Sequence, residues 1–502
     1  MSIDIEKYLS DAAHFPGGHA ASIVVPRTTA DIPALVRNAN ALLIVGAQSS
    51  LTGGATPMGE TVLSTEKLTR ILDVGPSYIR VEAGVPVAVI QDTLARTGAW
   101  FPPTPTFTGA FAGGIVATNA AGAATFRHGA VRPWVQALTV VLSDGSELAI
   151  ARGETRAKGR RLRVPTSRGT IDVPVPSYRM PDVVKRSAGY HAEPNMDLVD
   201  LFIGSEGTLG VVTAITFRTL SPVPTTALAL VPCRSEADAI ALVGELRHEA
   251  HVAAIEHMDR RCLDVLHEDG ADRRHDVTFP PGTALALLVQ IELPPGTTEA
   301  DAYAQIEASL TAGAADTAMG RICRLLHSHG VFDDTEMALP GNARRAEQLI
   351  AVRESVPAGV NRRVGRAQQE IDPRIAKTAA DMIVPFERFG EMMEIYREGY
   401  ASRGLDYAIW GHISDGNVHP NVIPRSYDDV ERGKDAIQFF GREVARLGGC
   451  PLAEHGVGRS AVKQALLRDL YGDAGIDEMR AVKRALDPSW KLAPGVIFSQ
   501  RP

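Results

Sequence analysis

Candidate metal ligands and a candidate general base gather in two stretches: residues 408–424, AIWGHISDGNVHPNVIP, and the pentapeptide Glu454-His455-Gly456-Val457-Gly458. Asp415-Gly416 signals a two-residue hairpin turn, because a tight connection between strands needs φ > 0, which Gly adopts freely and Asp tolerates. Closing the chain there sets Ser414 against Asn417, Ile413 against Val418 and His412 against His419. Opposed residues share a face with Cβ atoms roughly 4.5–5.5 Å apart. One ion about 2.0–2.1 Å from each imidazole nitrogen could then bind both rings. Two His and one carboxylate, with positions left for water or substrate, make a catalytic rather than a structural metal site. Glu454 is the carboxylate of choice. The same residues could also be satisfied polar groups of an ordinary hairpin followed by a loop, and spacing alone leaves both readings open.

The elements that must position these groups come from a chain of 502 residues, 45% apolar and 22% charged. That suits a globular protein of about two or three domains. A net charge of −7 argues against a nucleic-acid surface and for a small-molecule substrate. Cys233, Cys262, Cys323 and Cys450 form no CxxC pair, so neither a zinc knuckle nor an iron–sulfur cluster is indicated, and reduced thiols in a cytosol fit best. There is no signal-peptide pattern at the start and no apolar run of the roughly 18 residues a membrane span requires. The expected location is cytoplasmic, with peripheral membrane contact compatible.

The first half alternates strand-like segments (21–25, 42–45, 78–82) with helix-like ones (29–38, Thr-capped, and 85–97), an α+β or α/β pattern. Between them lie two loops of small residues, GAQSSLTGG at 46–54 and PPTPTFTGAFAGGIVATNAAG at 102–122. Such loops let backbone N–H groups converge on an anion, though they could equally be surface turns. Neither contains GxGxxG or GxxxxGK[ST]. Residues 138–151 read as a hairpin, and the basic stretch 153–182 contains a second alternating hairpin at 161–176, marked as an edge by its prolines. That stretch could cover a site or dock an electron acceptor, but it reads best as a solvated insertion. LSPVP at 220–224 marks a boundary. Beyond it, 227–232 and 284–291 read as strands, and 236–250 and 298–312 as helices, suggesting a split βαβ sandwich with one antiparallel sheet. His327 and His329 would share a strand face with no third ligand nearby and are set aside.

GHISDGNVH and EHGVG resemble the two C-terminal signatures of FAD-linked D-2-hydroxy-acid dehydrogenases, the group of D-lactate, D-2-hydroxyglutarate and glycolate dehydrogenases. The likeness extends over most of the chain. Residues 46–54, the FPPTP…GGIVATNAAG stretch and LFIGSEGTLGVVT at 201–213 resemble the flavin-binding pieces of the vanillyl-alcohol-oxidase (PCMH-type) fold. The resemblance implies an α+β protein: an FAD-binding domain at 1–222, a ferredoxin-like substrate and metal domain at 223–455, and a helical segment at 456–502 returning to the first. It assigns FAD to Gly46, Ala47, Gln48, Ser49, Ser50, Leu51, Thr52, Pro103, Thr106, Gly109, Gly113, Gly114, Thr118, Asn119, Gly122, Glu206, Gly207, Gly210 and Val211. Where some relatives attach flavin covalently to a histidine of the first loop, this chain has Gln48, so the FAD should be dissociable. KRSAGY at 185–190 follows the family pattern. Residues 255–266 resemble a family helix, in which His257 reads as structural.

The resemblance also strengthens the metal reading, with His412, His419 and Glu454 as ligands and Zn²⁺ ahead of Mn²⁺ or Fe²⁺. Arg353, in AVRES, matches the arginine that clamps the substrate carboxylate, a task suited to a planar bidentate fork. His455 would take the hydroxyl proton as general base, because imidazole titrates near neutrality. Asn417 would orient the substrate or a ligand, and hydride would pass from Cα to flavin N5, yielding a 2-keto acid. Relatives favouring a second carboxylate often carry a lysine two residues before the aspartate of D-x-x-V-P. Here Ala379 precedes Asp381, which puts a dicarboxylate in doubt unless Arg362, Arg363, Arg366 or Arg374 replaces that lysine. Electrons would go to a quinone, a cytochrome or an electron-transfer flavoprotein, and a homodimer is compatible. The alternatives are D-2-hydroxyglutarate dehydrogenation, a metal-free flavoenzyme acting on another alcohol, phenol or sugar, and a metal hydrolase or binding module without flavin.

Overall fold

The computed structural model describes residues 5–103, 105–311 and 315–500. Thr104 of the second small-residue loop and residue 312, the expected end of one helix, lie outside them. The chain forms two compact units. The first comprises residues up to Gly122, Gly129–Ser221 and the segment from Cys450 onward, and the second comprises Ala123–His128 and Pro222–Gly449. Glu454 and His455 therefore belong to the first unit. The architecture is α+β. Among the described residues no helix is long and apolar enough to cross a membrane.

In the first unit, strand Thr61–Ser64 lies between Ser22–Val24 and Leu42–Val45, parallel to both. Thr28 and Asp31 form a capping box where the chain turns into helix Ile32–Asn38, and Pro33 sits in that helix's first turn, where a missing N–H costs nothing. A five-stranded antiparallel sheet follows, in the order Ile71–Gly75, Tyr78–Glu82, Val211–Arg218, Val135–Val141, Glu147–Ala151. Ile32, Val36, Leu42, Leu63, Val141 and Val211 form one core with Leu492 of the C-terminal segment. That segment is tied in where the Leu42 N–H donates to Lys491 O at 2.7 Å.

The insertion is a two-stranded hairpin of Arg161–Thr166 and Gly169–Pro174. It buries Leu162, Val164 and Val173 and turns Arg161 and Arg163 to solvent. The chain after it is anchored on helix Ala461–Leu486: Tyr178 stacks on Tyr471 with centroids 4.2 Å apart, and Ser177 donates to Glu478.

The second unit is built on a seven-stranded antiparallel sheet, in the order Glu336–Ala338, Thr225–Cys233, Leu285–Leu293, Val252–Met258, Tyr407–His412, Asn417–Val422, Met382–Ile383. Residues 255–266 are not one helix. Strand Val252–Met258 ends at Asp259, whose carboxylate accepts from Cys262 N and starts helix Arg260–Glu268. His327 and His329 are not on a strand either; they close helix Ala318–Ser328, where His329 lies 3.0 Å from Glu245. The 28-residue helix Ala343–Glu370 contains Pro357. Proline has no N–H to return to the carbonyl four residues earlier, so the helix loses a rung at Arg353.

Candidate functional site

In the first unit a cavity of about 300 Å³ opens among the small-residue loops. It is lined by Gly46, Ala47, Gln48, Ser49, Ser50, Leu51, Thr106, Gly113, Gly114, Thr118, Glu206, Gly207 and Gly210, and also by Glu454 and His455. Thr52, Pro103, Gly109, Asn119, Gly122 and Val211 are not part of this lining. Val211 is in the sheet core opposite Val141, and the Asn119 side chain accepts from Arg132 N. Gln48, at φ 56°, donates through its amide nitrogen to the carbonyls of Tyr8, Ser10 and Ala55. These bonds hold the loop in shape.

The EHGVG pentapeptide is fixed from two sides. The Glu206 carboxylate accepts from Val457 N and Gly458 N, both at 2.8 Å, and burial pushes this carboxyl up to about 7. Thr52 O accepts from Arg459 N at 2.9 Å and Ser460 N at 3.1 Å. Within this frame Glu454 Oε1 lies 2.7 Å from Nζ of Lys185, a lysine with no exposed surface, and His455 Nε2 lies 4.0 Å from Glu454 Oε2. This buried ion pair ties the Glu454 carboxylate to Lys185 of KRSAGY.

In the second unit the hairpin register differs from the expected one. A short 3-10 turn, Ile413–Asp415, and Gly416 at φ 83° connect the strands, so His412 pairs with Asn417 and Trp410 with His419. Ser414 does not pair with Asn417. Its Oγ accepts from Ile255 N and its carbonyl from Arg247 Nε, which draws it into the loop. The shift is by two residues, and strand faces alternate with period two, so His412, Asn417 and His419 still share a face. The two imidazole rings are nearly perpendicular, with centroids 5.4 Å apart.

Each of these histidines has a carboxylate at Nδ1. Glu256 Oε1 lies 3.1 Å from His412 Nδ1, and Asp381 Oδ1 lies 3.4 Å from His419 Nδ1. A carboxylate near Nδ1 favours the tautomer that carries its lone pair on Nε2, the form in which imidazole ligates a metal, so this donor set fits a divalent ion. Asn417 donates to Asp381 Oδ1 at 3.1 Å and to Met382 O at 2.9 Å; it steadies the carboxylate facing His419. Arg353, buried in the long helix, donates through Nη2 to Glu256 Oε2 at 2.8 Å. Burial alone would raise the Glu256 carboxyl, but Arg353 and His412 outweigh it and hold the group at about 2. His257 beside it is fully buried, with burial lowering its pKa to about 4, and is a core residue packed edge-on to Phe389.

Sequence reasoning missed Glu256. Its neighbour His257 drew attention instead, and only the pairing of Glu256 with His412 across two strands reveals its place.

Residues 224–497 match the family model of FAD linked oxidases, C-terminal domain, and residues 20–151 match that of an FAD binding domain. A D-2-hydroxyglutarate dehydrogenase of Xanthomonas citri pv. viticola is 26% identical over 99% of this chain and 93% of its own length. A D-lactate dehydrogenase of Archaeoglobus fulgidus is 27% identical over 95% of this chain and 90% of its own. The solved structure of an alkyldihydroxyacetonephosphate synthase superposes with a TM-score of 0.59 at 13% identity, covering 94% of this chain and 75% of that one, which shows the shared fold. The chain belongs to the FAD-linked D-2-hydroxy-acid dehydrogenase family. Its FAD linked oxidase and FAD binding domains mark it as an FAD-dependent hydroxy-acid dehydrogenase.

Proposed function

We propose that the enzyme oxidises a D-2-hydroxy monocarboxylic acid of the D-lactate type to the 2-keto acid, with a divalent metal, and delivers the electrons to a separate quinone, cytochrome or flavoprotein acceptor. The observation that carries the metal is the carboxylate at Nδ1 of both His412 and His419. These two histidines, with Glu454 as third ligand by family likeness, are the proposed metal-holding residues, and Zn²⁺ is the first choice for such N/O donors. The cavity-lining residues Gly46–Leu51, Gly113, Gly114 and Gly207 are the proposed flavin cradle. When bound, FAD supplies a hydride acceptor and the metal a Lewis acid that makes the substrate hydroxyl more acidic.

The chain's own residues do the rest. Arg353 binds the substrate carboxylate. Its Nε is buried with no hydrogen-bond partner among the described residues, a donor that a bound carboxylate would satisfy. His455, facing the flavin cavity, takes the hydroxyl proton. Asn417 acts through Asp381 on His419. A monocarboxylate is favoured because three of the four arginines that could replace the lysine, Arg362, Arg363 and Arg374, already bind carboxylates of the chain, Asp269 at 2.7 Å, Glu268 at 2.6 Å and Asp372 at 2.6 Å, and the fourth, Arg366, is exposed.

The test is anaerobic flavin bleaching by D- and L-lactate, glycolate and D-2-hydroxyglutarate, before and after chelation. D-lactate should reduce the flavin fastest, and chelated protein should keep its yellow FAD while losing that reaction. Undiminished reduction in metal-free protein would sink the metal, and faster reduction by D-2-hydroxyglutarate would sink the monocarboxylate preference.

A further inference from the structure

We propose that Glu256 is a positioning residue that couples the metal ligand His412 to the substrate clamp Arg353, an inference that rests on the metal reading of His412. The geometry is that of one carboxylate divided between two tasks. Strand Val252–Met258 pairs with Tyr407–His412 so that Glu256 is directly opposite His412. One oxygen, Oε1, lies 3.1 Å from His412 Nδ1, and the other, Oε2, accepts from Arg353 Nη2 at 2.8 Å. The side chain is 12% exposed, and those of His412 and Arg353 are 3% and 10% exposed. The arrangement is therefore shielded from the solvent that makes surface pairs weak.

Two consequences follow from one group. The oxygen 3.1 Å from Nδ1 favours the His412 tautomer with its lone pair on Nε2, and removing such a partner typically lowers metal affinity about 10–100-fold. The oxygen on Arg353 fixes the guanidinium plane while leaving Nε to the substrate. Arg353 reaches this point from a helix turn that Pro357 has deprived of a backbone hydrogen bond, so the ion pair supplies orientation that the helix supplies less firmly there. Metal affinity and substrate affinity should be linked through Glu256, which acts by way of His412 and Arg353.

The test uses the full-length flavoprotein. Zn²⁺ affinity is measured by competition with a chromophoric chelator, and D-lactate affinity from the concentration dependence of flavin reduction, for the parent, Glu256→Ala, Glu256→Gln, His412→Ala and Arg353→Ala. Glu256→Ala should weaken Zn²⁺ binding about 10–100-fold and also weaken D-lactate binding when Zn²⁺ is saturating. Arg353→Ala, which releases the other oxygen of the same carboxylate, should shift Zn²⁺ affinity as well, by less than Glu256→Ala does. Glu256→Gln preserves shape and one acceptor oxygen, so it should fall between, and it keeps the test decisive if the alanine variant fails to fold.

A residue that merely stabilises the fold would lower the melting temperature and leave both constants in place, which would overturn the proposal. If His412→Ala loses Zn²⁺ while both Glu256 variants match the parent, the coupling alone is wrong. If neither the parent nor His412→Ala binds Zn²⁺, the metal reading fails and takes the coupling with it.

Discussion

Gly458→Ala probes how the loop carrying Glu454 and His455 is seated on the flavin cavity. Gly458 has φ +59°, and a Cβ added there would stand 2.2 Å from Thr52 Oγ1 and 2.4 Å from the Thr52 carbonyl oxygen. Ordinary nonbonded contacts are about 3.5–4.0 Å, so one backbone must retreat by about 1 Å or more. Left-handed backbone costs alanine roughly 1–2 kcal/mol, and overpacking typically about 1–3 kcal/mol, for a total of about 2–5 kcal/mol. Thr52 belongs to the 46–54 loop, and its carbonyl holds Arg459 N and Ser460 N. Relief by moving that loop would therefore appear as lost flavin affinity, with 2 kcal/mol equal to about 30-fold in Kd. Fluorescence titration of the apoprotein with FAD and thermal melts with and without FAD measure both routes. Gly153→Ala is the control, because Gly153 has φ +95° but nothing within 4 Å of the added Cβ. It carries the backbone strain without the clash. A Gly458→Ala protein with parental melting temperature and FAD affinity, or one indistinguishable from Gly153→Ala, would refute the reasoning.

Two further outcomes can be checked directly. His455→Ala should depress the limiting rate of flavin reduction by about 10²–10⁴-fold, the usual contribution of a general base, with a much smaller change in substrate affinity, whereas Arg353→Ala should act mainly on affinity. Stopped-flow reduction across D-lactate concentrations separates the two terms, and a near-normal limiting rate in His455→Ala would remove it from the base role. FAD should leave the protein on acid precipitation, because Gln48 stands where a covalent histidine would be; flavin retained in the washed pellet would show an attachment elsewhere.

The sequence by itself determined those features that depend on neighbouring residues or on parity. Strands Leu42–Val45 and Tyr78–Glu82 appear at their expected bounds because local alternation and flanking turns define them. His412 and His419 share a face despite the changed turn, because a two-residue slip preserves the period of a strand. The order of motifs was enough to identify the family.

Tertiary structure decided what depends on residues far apart in the chain. Ser414 left its expected partner because Ile255 and Arg247 offered it hydrogen bonds. Glu256 gained its place between His412 and Arg353, 156 and 97 residues away along the chain, through strand pairing and helix packing. His327 and His329, whose spacing suits one face of a strand, sit at a helix end because the run from Ala318 buries Ile322, Cys323 and Leu326 on one helical face. Gly458, legible as part of a signature, is required by its close approach to Thr52, some four hundred residues earlier. Local propensity and spacing specify elements and faces, but contacts between distant segments are set by how the whole core packs, and no short window of sequence records that.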